Sequence, residues 1–266
     1  MKYKLLNETN KSYSAIQQIL YNRGIKEEDM FHYLNTTDED INEPELLGKE
    51  KMMVASNILL RIIKENKKAI IVVDSDCDGF TSSALFINYF HDIYPNWIEN
   101  NLDIFFHQGK QHGLEDCEKL ILENHYDLVI VPDAGSNDMD QHRHFFNEGI
   151  KCIVLDHHEA DIPATYDYAI VINNNNKDDK YPNKNFSGVG IVWQFCRFID
   201  KVLNINNADN YIDLVALGNL GDVMSLKSIE TKHIINKGIK EENLKNPFFK
   251  GMIKKNSFSI GSKITG

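Results

Sequence analysis

The sequence predicts an α/β fold: a parallel β-sheet flanked by helices, with helical N- and C-terminal extensions. Three observations predict it. Short, β-branched apolar runs at 69–73 (AIIVV), 127–131 (DLVIV) and 151–155 (KCIVL) have the pattern of strands buried on both faces. Helical segments of about 10–15 residues alternate with strands, the signature of right-handed crossovers between parallel strands. Each of the three runs ends in polar residues capable of chemistry, and α/β folds place ligands at the carboxyl ends of their strands.

Taken in order, residues 12–23 carry a short apolar stripe (Ile16, Ile19, Leu20) that predicts a helix ending before Gly24. Residues 25–47 are acidic and broken by Pro44, which predicts loop with one short helix near 27–34. Residues 48–66 place Met52, Met53, Leu59, Leu60, Ile62 and Ile63 between lysines, an amphipathic helix leading into the strand at 69–73. A helix is expected over 80–94, where Thr81, Ser82 and Ser83 are candidate caps or phosphate contacts. Strand 102–106, helix 114–124, strand 127–131, helix 138–148 and strands 151–155 and 168–172 follow. The polar stretch 173–185, with four asparagines in a row, is expected as a surface loop. Apolar helices are expected over 189–203 and 208–220.

At 266 residues the chain is long enough for one large or two modest domains. No apolar run reaches the roughly 18 residues of a membrane span, and the N-terminus lacks the apolar core of a signal peptide. The four cysteines (Cys77, Cys117, Cys152, Cys196) form no C-x-x-C pair, so they read as reduced thiols of a cytoplasmic protein. The net charge of −10 weighs against a protein that coats nucleic acid electrostatically. From Lys227 onward, however, nine lysines face three glutamates, leaving −16 for residues 1–226. That basic tail is either a solvated helical surface or a track for a phosphate backbone.

The stretch AIIVVDSDCDGF at 69–80 organises the rest. Asp74, Asp76 and Asp78 crowd a strand end and repel one another unless a cation or bound protons relieve them. Hard divalent ions take such oxygen ligands. A solvated acidic turn is the competing reading for this stretch by itself. A calcium loop of the EF-hand kind is excluded, because its twelfth position is Leu85 where a bidentate Glu is required. Strand 127–131 runs into Pro132 and Asp133, and strand 151–155 into Asp156, His157 and His158. Parallel strands bring these ends to one edge of the sheet, where mixed carboxylate and imidazole ligands suit manganese or another first-row ion, with magnesium also possible.

Four segments in order, VVDSDCDG (72–79), IVPDAGSND (130–138), VLDHHEAD (154–161) and ALGNLGDVMSL (216–226), make the sequence resemble the DHH phosphoesterases. Within that superfamily it is most similar to the RecJ single-strand-specific exonucleases, through LYNRGI (20–25), the DSDCDG-FTSSAL unit, Tyr181-Pro182 and FSGVGIVWQF (186–195). It departs from them at Val73, where a Gly is common, and at His107 and Gln111, where relatives often carry Arg and Gly.

The resemblance implies two divalent ions, Mn²⁺ or Mg²⁺, bridged by Asp133. Asp76 would hold one, with Asp74 supporting it directly or through water, and Asp78, His157 and Asp222 would hold the other. His158 would contact the phosphate or give a proton to the leaving oxygen, and Asp156 would orient the imidazoles. His112 would contact substrate, and the turn at Ser187 and Gly188 would either hold a phosphate through the amides opening its helix or serve as a structural cap, the two readings being equal. The domain division expected is an N-terminal helical extension (1–48), a catalytic domain (49–226), and a basic linker helix with the start of a second domain (227–266). The implied activity is 5′→3′ hydrolysis of single-stranded DNA by hydroxide generated between the two ions. Cleavage of short oligonucleotides or cyclic dinucleotides, and a non-catalytic replication or repair binding protein, are the alternatives. The implied partners are single-stranded nucleic acid, no membrane, and a separately supplied second domain or a replication or repair protein.

Overall fold

In the computed structural model, which describes residues 10–107, 109, 111–163, 166–177, 179–247 and 249–251, the chain begins with two short helices. These are α1 (Ala15–Asn22), opened by a capping box at Ser14, and α2 (Met30–Leu34). Three single 3₁₀ turns occupy the acidic stretch before α3 (Lys49–Lys64), which turns Met52, Ala55, Leu59, Ile62 and Ile63 inward.

The alternating region then follows: β1 (Ala69–Val73), α4 (Cys77–Ile93), α5 (Pro95–Asn101), β2 (Leu102–Phe106), α6 (Glu118–Glu123), β3 (Leu128–Pro132), α7 (Met139–Asn147), β4 (Lys151–Asp156) and β5 (Ile170–Asn173). The five strands form one sheet in the order β2-β1-β3-β4-β5, with every pairing parallel. After the sheet come α8 (Gly188–Leu203), α9 (Ile212–Gly221) and α10 (Ile229–Gly238).

Alternation along the strands separates two cores. Ile71, Ile130, Ile153, Leu155 and Ile172 face α3, α4 and α8 in the larger one. Ile70, Val72, Val129, Val131 and Val154 face α6 and α7 in the smaller one. At roughly 1.5–3 kcal/mol for each large side chain taken from water, these two layers hold the sheet rigid behind its carboxyl edge.

Several expectations shift. The helix after β1 begins at Cys77 and not at 80, because the Asp76 carboxylate accepts the Gly79 amide (2.9 Å) and caps it. A helix absent from the sequence reading, α5, starts at Pro95, whose fixed φ suits the first helical position. The stretch 173–185 is not a plain surface loop. Asn173, Asn174, Tyr181 and Asn183 are buried, because its amides satisfy backbone groups of neighbouring segments.

The basic stretch after Lys227 is broken into α10 and a 3₁₀ turn at Glu241–Asn243, and residues 252–266 lie outside the described residues. Two of its lysines are taken up internally: Lys237 pairs with Asp38 (2.8 Å), and Lys232 donates to the Tyr33 carbonyl.

Candidate metal centre

The carboxyl ends of β1, β3 and β4 lie side by side in the sheet, so the turn that follows each strand projects from the same edge. On that edge three overlapping groups bring potential ligand atoms within 4.8 Å of one another: Asp74, Asp76 and Asp133; Asp78, His157 and Asp222; and Asp133, His157 and His158. All five expected ligands (Asp76, Asp78, Asp133, His157, Asp222) belong to these groups, and Asp133 appears in two of them. His157 Nε2 lies 3.3 Å from Asp133 Oδ1, 3.5 Å from Asp222 Oδ2 and 3.8 Å from Asp78 Oδ2.

Local backbone structure sets each carboxylate. Asp133 sits in the left-handed region (φ 63), with its amide donating to the Leu155 carbonyl at 2.8 Å. Gly188 packs directly beneath it; a Cβ there would lie 2.2 Å from Asp133 Oδ1. Asp78, in the first turn of α4, accepts the amides of Gly188 (2.6 Å) and Val189 (3.1 Å). The amides opening α8 therefore hold Asp78, where a substrate phosphate was expected. Ser187 is fully buried, its amide donating to Asn219 Oδ1 (3.3 Å). Its place and that of Gly188 are structural, beneath the cluster.

Electrostatics argue for a cation. Asp133 is almost wholly buried; burial first, then the Asp78 charge, raises its pKa well above the usual carboxylate value. Burial also raises Asp222, against the lowering effect of His157. Asp133 Oδ1 and Asp222 Oδ2 are buried oxygens that receive no hydrogen bond. Unsatisfied, closely spaced carboxylate oxygens around an imidazole are a donor set that fits divalent ions of the manganese or magnesium kind. Asp74, Asp76 and Asp133 would hold one ion, and Asp78, Asp133, His157 and Asp222 the other.

Asp156 is buried and stands apart from the three groups. It accepts the amides of His157 (2.7 Å), His158 (3.2 Å) and Ser136 (3.1 Å), and Nδ1 of His158 (2.8 Å). Burial pushes its carboxyl up, but the hydrogen bonds from His158 and Ser136 outweigh this and bring it down to about 2. His158, hydrogen-bonded to Asp156, is raised to about 9, with burial working against the shift. The same hydrogen bond fixes Nδ1 and favours the imidazolium form. Asp74 is held by the Ser75 amide (2.9 Å) and by Nδ1 of the exposed His112 (2.7 Å). The segment carrying His112 is tied down by Asp138, which accepts the Leu114 amide at 2.8 Å.

Two participants escaped sequence reasoning. Asn173 Nδ2 donates to the His158 carbonyl (2.8 Å) and to Ser136 Oγ (2.8 Å), and Asn175 Nδ2 donates to the His157 carbonyl (2.6 Å). They fix the backbone of the Asp-His-His turn from β5. The available signal was their position: like Asp74, Asp133 and Asp156, they lie at or just past the end of a strand.

Residues 68–219 match the profile of the DHH family, N-terminal domain. A protein of Bacillus subtilis described as a putative prophage-derived single-strand DNA-specific exonuclease, YorK, is 34% identical over 259 residues, spanning 97% of this chain and 42% of its own. The single-stranded-DNA-specific exonuclease RecJ of Escherichia coli is 30% identical over 198 residues, covering 68% of this chain and 33% of its own. Among solved structures, RecJ of Thermus thermophilus in complex with Mn²⁺ superposes with a TM-score of 0.68 at 17% identity, over 90% of this chain and 33% of that one. A manganese-bound exonuclease RecJ superposes with a TM-score of 0.60 at 20% identity, over 70% of this chain and 46% of that one. The chain thus spans less than half the length of these relatives.

Proposed function

The chain belongs to the DHH family, and on that premise we propose that it is a metal-dependent nuclease that hydrolyses single-stranded DNA from the 5′ end. The observation that carries this reading is the cluster of Asp74, Asp76, Asp78, Asp133, His157 and Asp222 on one sheet edge, with its unsatisfied buried oxygens. The exonuclease names of the relatives support the substrate class.

When bound, two Mn²⁺ or Mg²⁺ ions supply a water of lowered pKa and offset the charge on the scissile phosphate. The protein's own groups do the rest. Asp133, shared between both halves of the cluster, fixes their spacing. Asp78 is held for its task by the α8 amides, and His157 by the Asn175 contact to its carbonyl. Asp156 accepts from Nδ1–H of His158 and stabilises its imidazolium form, in which Nε2–H can hydrogen-bond a phosphate oxygen or give its proton to the leaving oxygen. Asp156 has no part in binding ions and orients His158.

We assign residues 1–48 to an N-terminal extension, 49–226 to the catalytic domain and 227–266 to a linker leading to a second domain. That second domain, supplied separately or by a replication or repair protein, would close the cleft. No helix among the described residues is long and apolar enough to cross a membrane; the four free cysteines support a cytoplasmic location.

Digestion of single-stranded DNA labelled at either end, of duplex DNA and of dinucleotides, each with Mn²⁺ or Mg²⁺, tests the proposal. Release of mononucleotides from the 5′ end of single strands, suppressed by EDTA, is the expected result. Preference for dinucleotides over long strands would move the function to a small-substrate phosphodiesterase. No hydrolysis of any of them would sink the enzymatic reading.

A further inference from the structure

Beside the acidic cluster lies a neutral, apolar lip that the metal chemistry does not use. Phe80 and Phe106 stack on one another at the sheet's carboxyl edge, with ring centroids 6.1 Å apart and planes inclined by 24°. Both remain half exposed, at 50% and 54%. Phe106 ends the edge strand β2 and pairs in register with Val73, the residue before Asp74. The Phe80 amide donates to the Asp76 carbonyl (3.1 Å), so Phe80 stands one helical turn, about 5.4 Å, beyond a candidate ligand.

Other exposed residues adjoin candidate ligands in the chain, at the start of α4 and after Asp222. Cys77 is exposed, and Gly221 packs against it so closely that a Cβ would fall 2.6 Å from its Sγ. Two residues on is Val223, 85% exposed and held at φ 55, a costly conformation for a β-branched residue. Single exposed apolar residues need no explanation, but two aromatic rings stacked on one another in the open beside a site do.

We propose that the Phe80–Phe106 pair is a base-stacking platform, which receives neutral nucleobases of a single strand while its phosphates lie over the carboxylate cluster. The inference rests on the nuclease reading above and names how the substrate is gripped. Its warrant is that the two rings are carried by residues beside the cluster, Phe80 four after Asp76 on the same helix and Phe106 in register with the residue before Asp74, so uncharged ring faces adjoin oxygens that need cations and phosphate. Aromatic platforms bind single strands with little regard for sequence, because every base has a π-face. They also discriminate against duplex, whose bases already stack on one another.

The test is a cycle between protein and strand, on the full chain with Mn²⁺. Single-stranded DNA carrying one abasic nucleotide, moved through the first six positions from the cut end, is compared with the intact strand. The subjects are wild type, Phe80→Ala/Phe106→Ala and Phe80→Trp.

On the intact strand the double variant is expected to lose about five- to 150-fold in kcat/KM, mainly through KM. An abasic nucleotide at the sensitive position should cost wild type a similar factor and the double variant almost nothing. Phe80→Trp should keep the wild-type sensitivity, and Mn²⁺ titration should confirm that each variant retains the cluster. Photocrosslinking of a 5-iodouracil strand to wild type should label Phe80 or Phe106, a readout that does not depend on any variant folding.

Equal losses on intact and abasic strands, or no loss on either, would overturn the proposal and leave the pair as a docking face for protein. A wild type that cuts single strands but ignores base removal everywhere sinks this inference alone. A wild type that neither binds nor cuts single strands sinks the nuclease reading, and this inference with it.

Discussion

At the scale of single residues, the two adjacent histidines have been given different work by one neighbour. Asp156 takes Nδ1 of His158 and leaves His157 Nε2 among Asp78, Asp133 and Asp222. His158→Ala is therefore expected to keep Mn²⁺ affinity while losing about 10²–10⁴-fold in turnover, the usual range for a positioned acid or base. Calorimetry and strand digestion on the same sample check it; loss of Mn²⁺ affinity together with activity would make His158 a ligand. Much of this level was legible in the sequence, because Asp133, Asp156, His157 and His158 directly follow apolar strands. Ser187 and Gly188 were legible as a helix start but not as the support for Asp78. A partner 110 positions away along the chain leaves no local trace.

At the scale of elements, the β-branched strands announce themselves because burial on both faces demands an unbroken apolar run. Helix starts were harder: α4 begins at a side-chain cap supplied by Asp76, a residue whose place in an acidic cluster masks its capping role in the sequence. On the opposite face of the sheet, α7 buries His142 completely, with Nδ1 on Tyr166 Oη (2.8 Å) and Nε2 without a hydrogen bond. Burial lowers its pKa to about 4.

The sign follows from linkage. The unfolded chain takes up a proton near pH 6.5 and the folded chain only near 4. This contribution to stability is therefore complete above about 6.5 and lost as pH falls through 4. Its full size is on the order of 3 kcal/mol. Urea denaturation at pH 7, 6 and 5 should show stability falling for wild type and a visibly flatter profile for His142→Asn. Parallel profiles would mean that His142 titrates alike in the folded and unfolded chain, and would contradict the account.

At the scale of the whole molecule, the N-terminal segment and α10 are bound together across the back of the domain. Buried Glu230 accepts from the Asn42 amide (2.8 Å) and side chain (2.8 Å), Tyr181 Oη (2.8 Å) and Asn183 Nδ2 (2.9 Å). Glu230→Ala leaves these donors unpaired and is expected to cost roughly 2–4 kcal/mol, read from the urea midpoint, with the N-terminal segment becoming the first site of proteolysis. A midpoint within error of wild type would contradict this. None of this clamp was visible in the sequence, where Asn42 and Glu230 belong to an acidic loop and a basic tail.

We propose that a shared carboxylate, Asp133, builds a centre for divalent ions at the sheet edge, and calorimetric titration with Mn²⁺ of wild type and Asp133→Asn tests that claim. Asn keeps the shape and tolerates the positive φ, while removing a buried charge that its neighbours repel. Wild type should bind two Mn²⁺ per chain; the variant should bind none at matched concentration, yet melt higher than wild type in EDTA. Unchanged two-site binding by Asp133→Asn would contradict the claim.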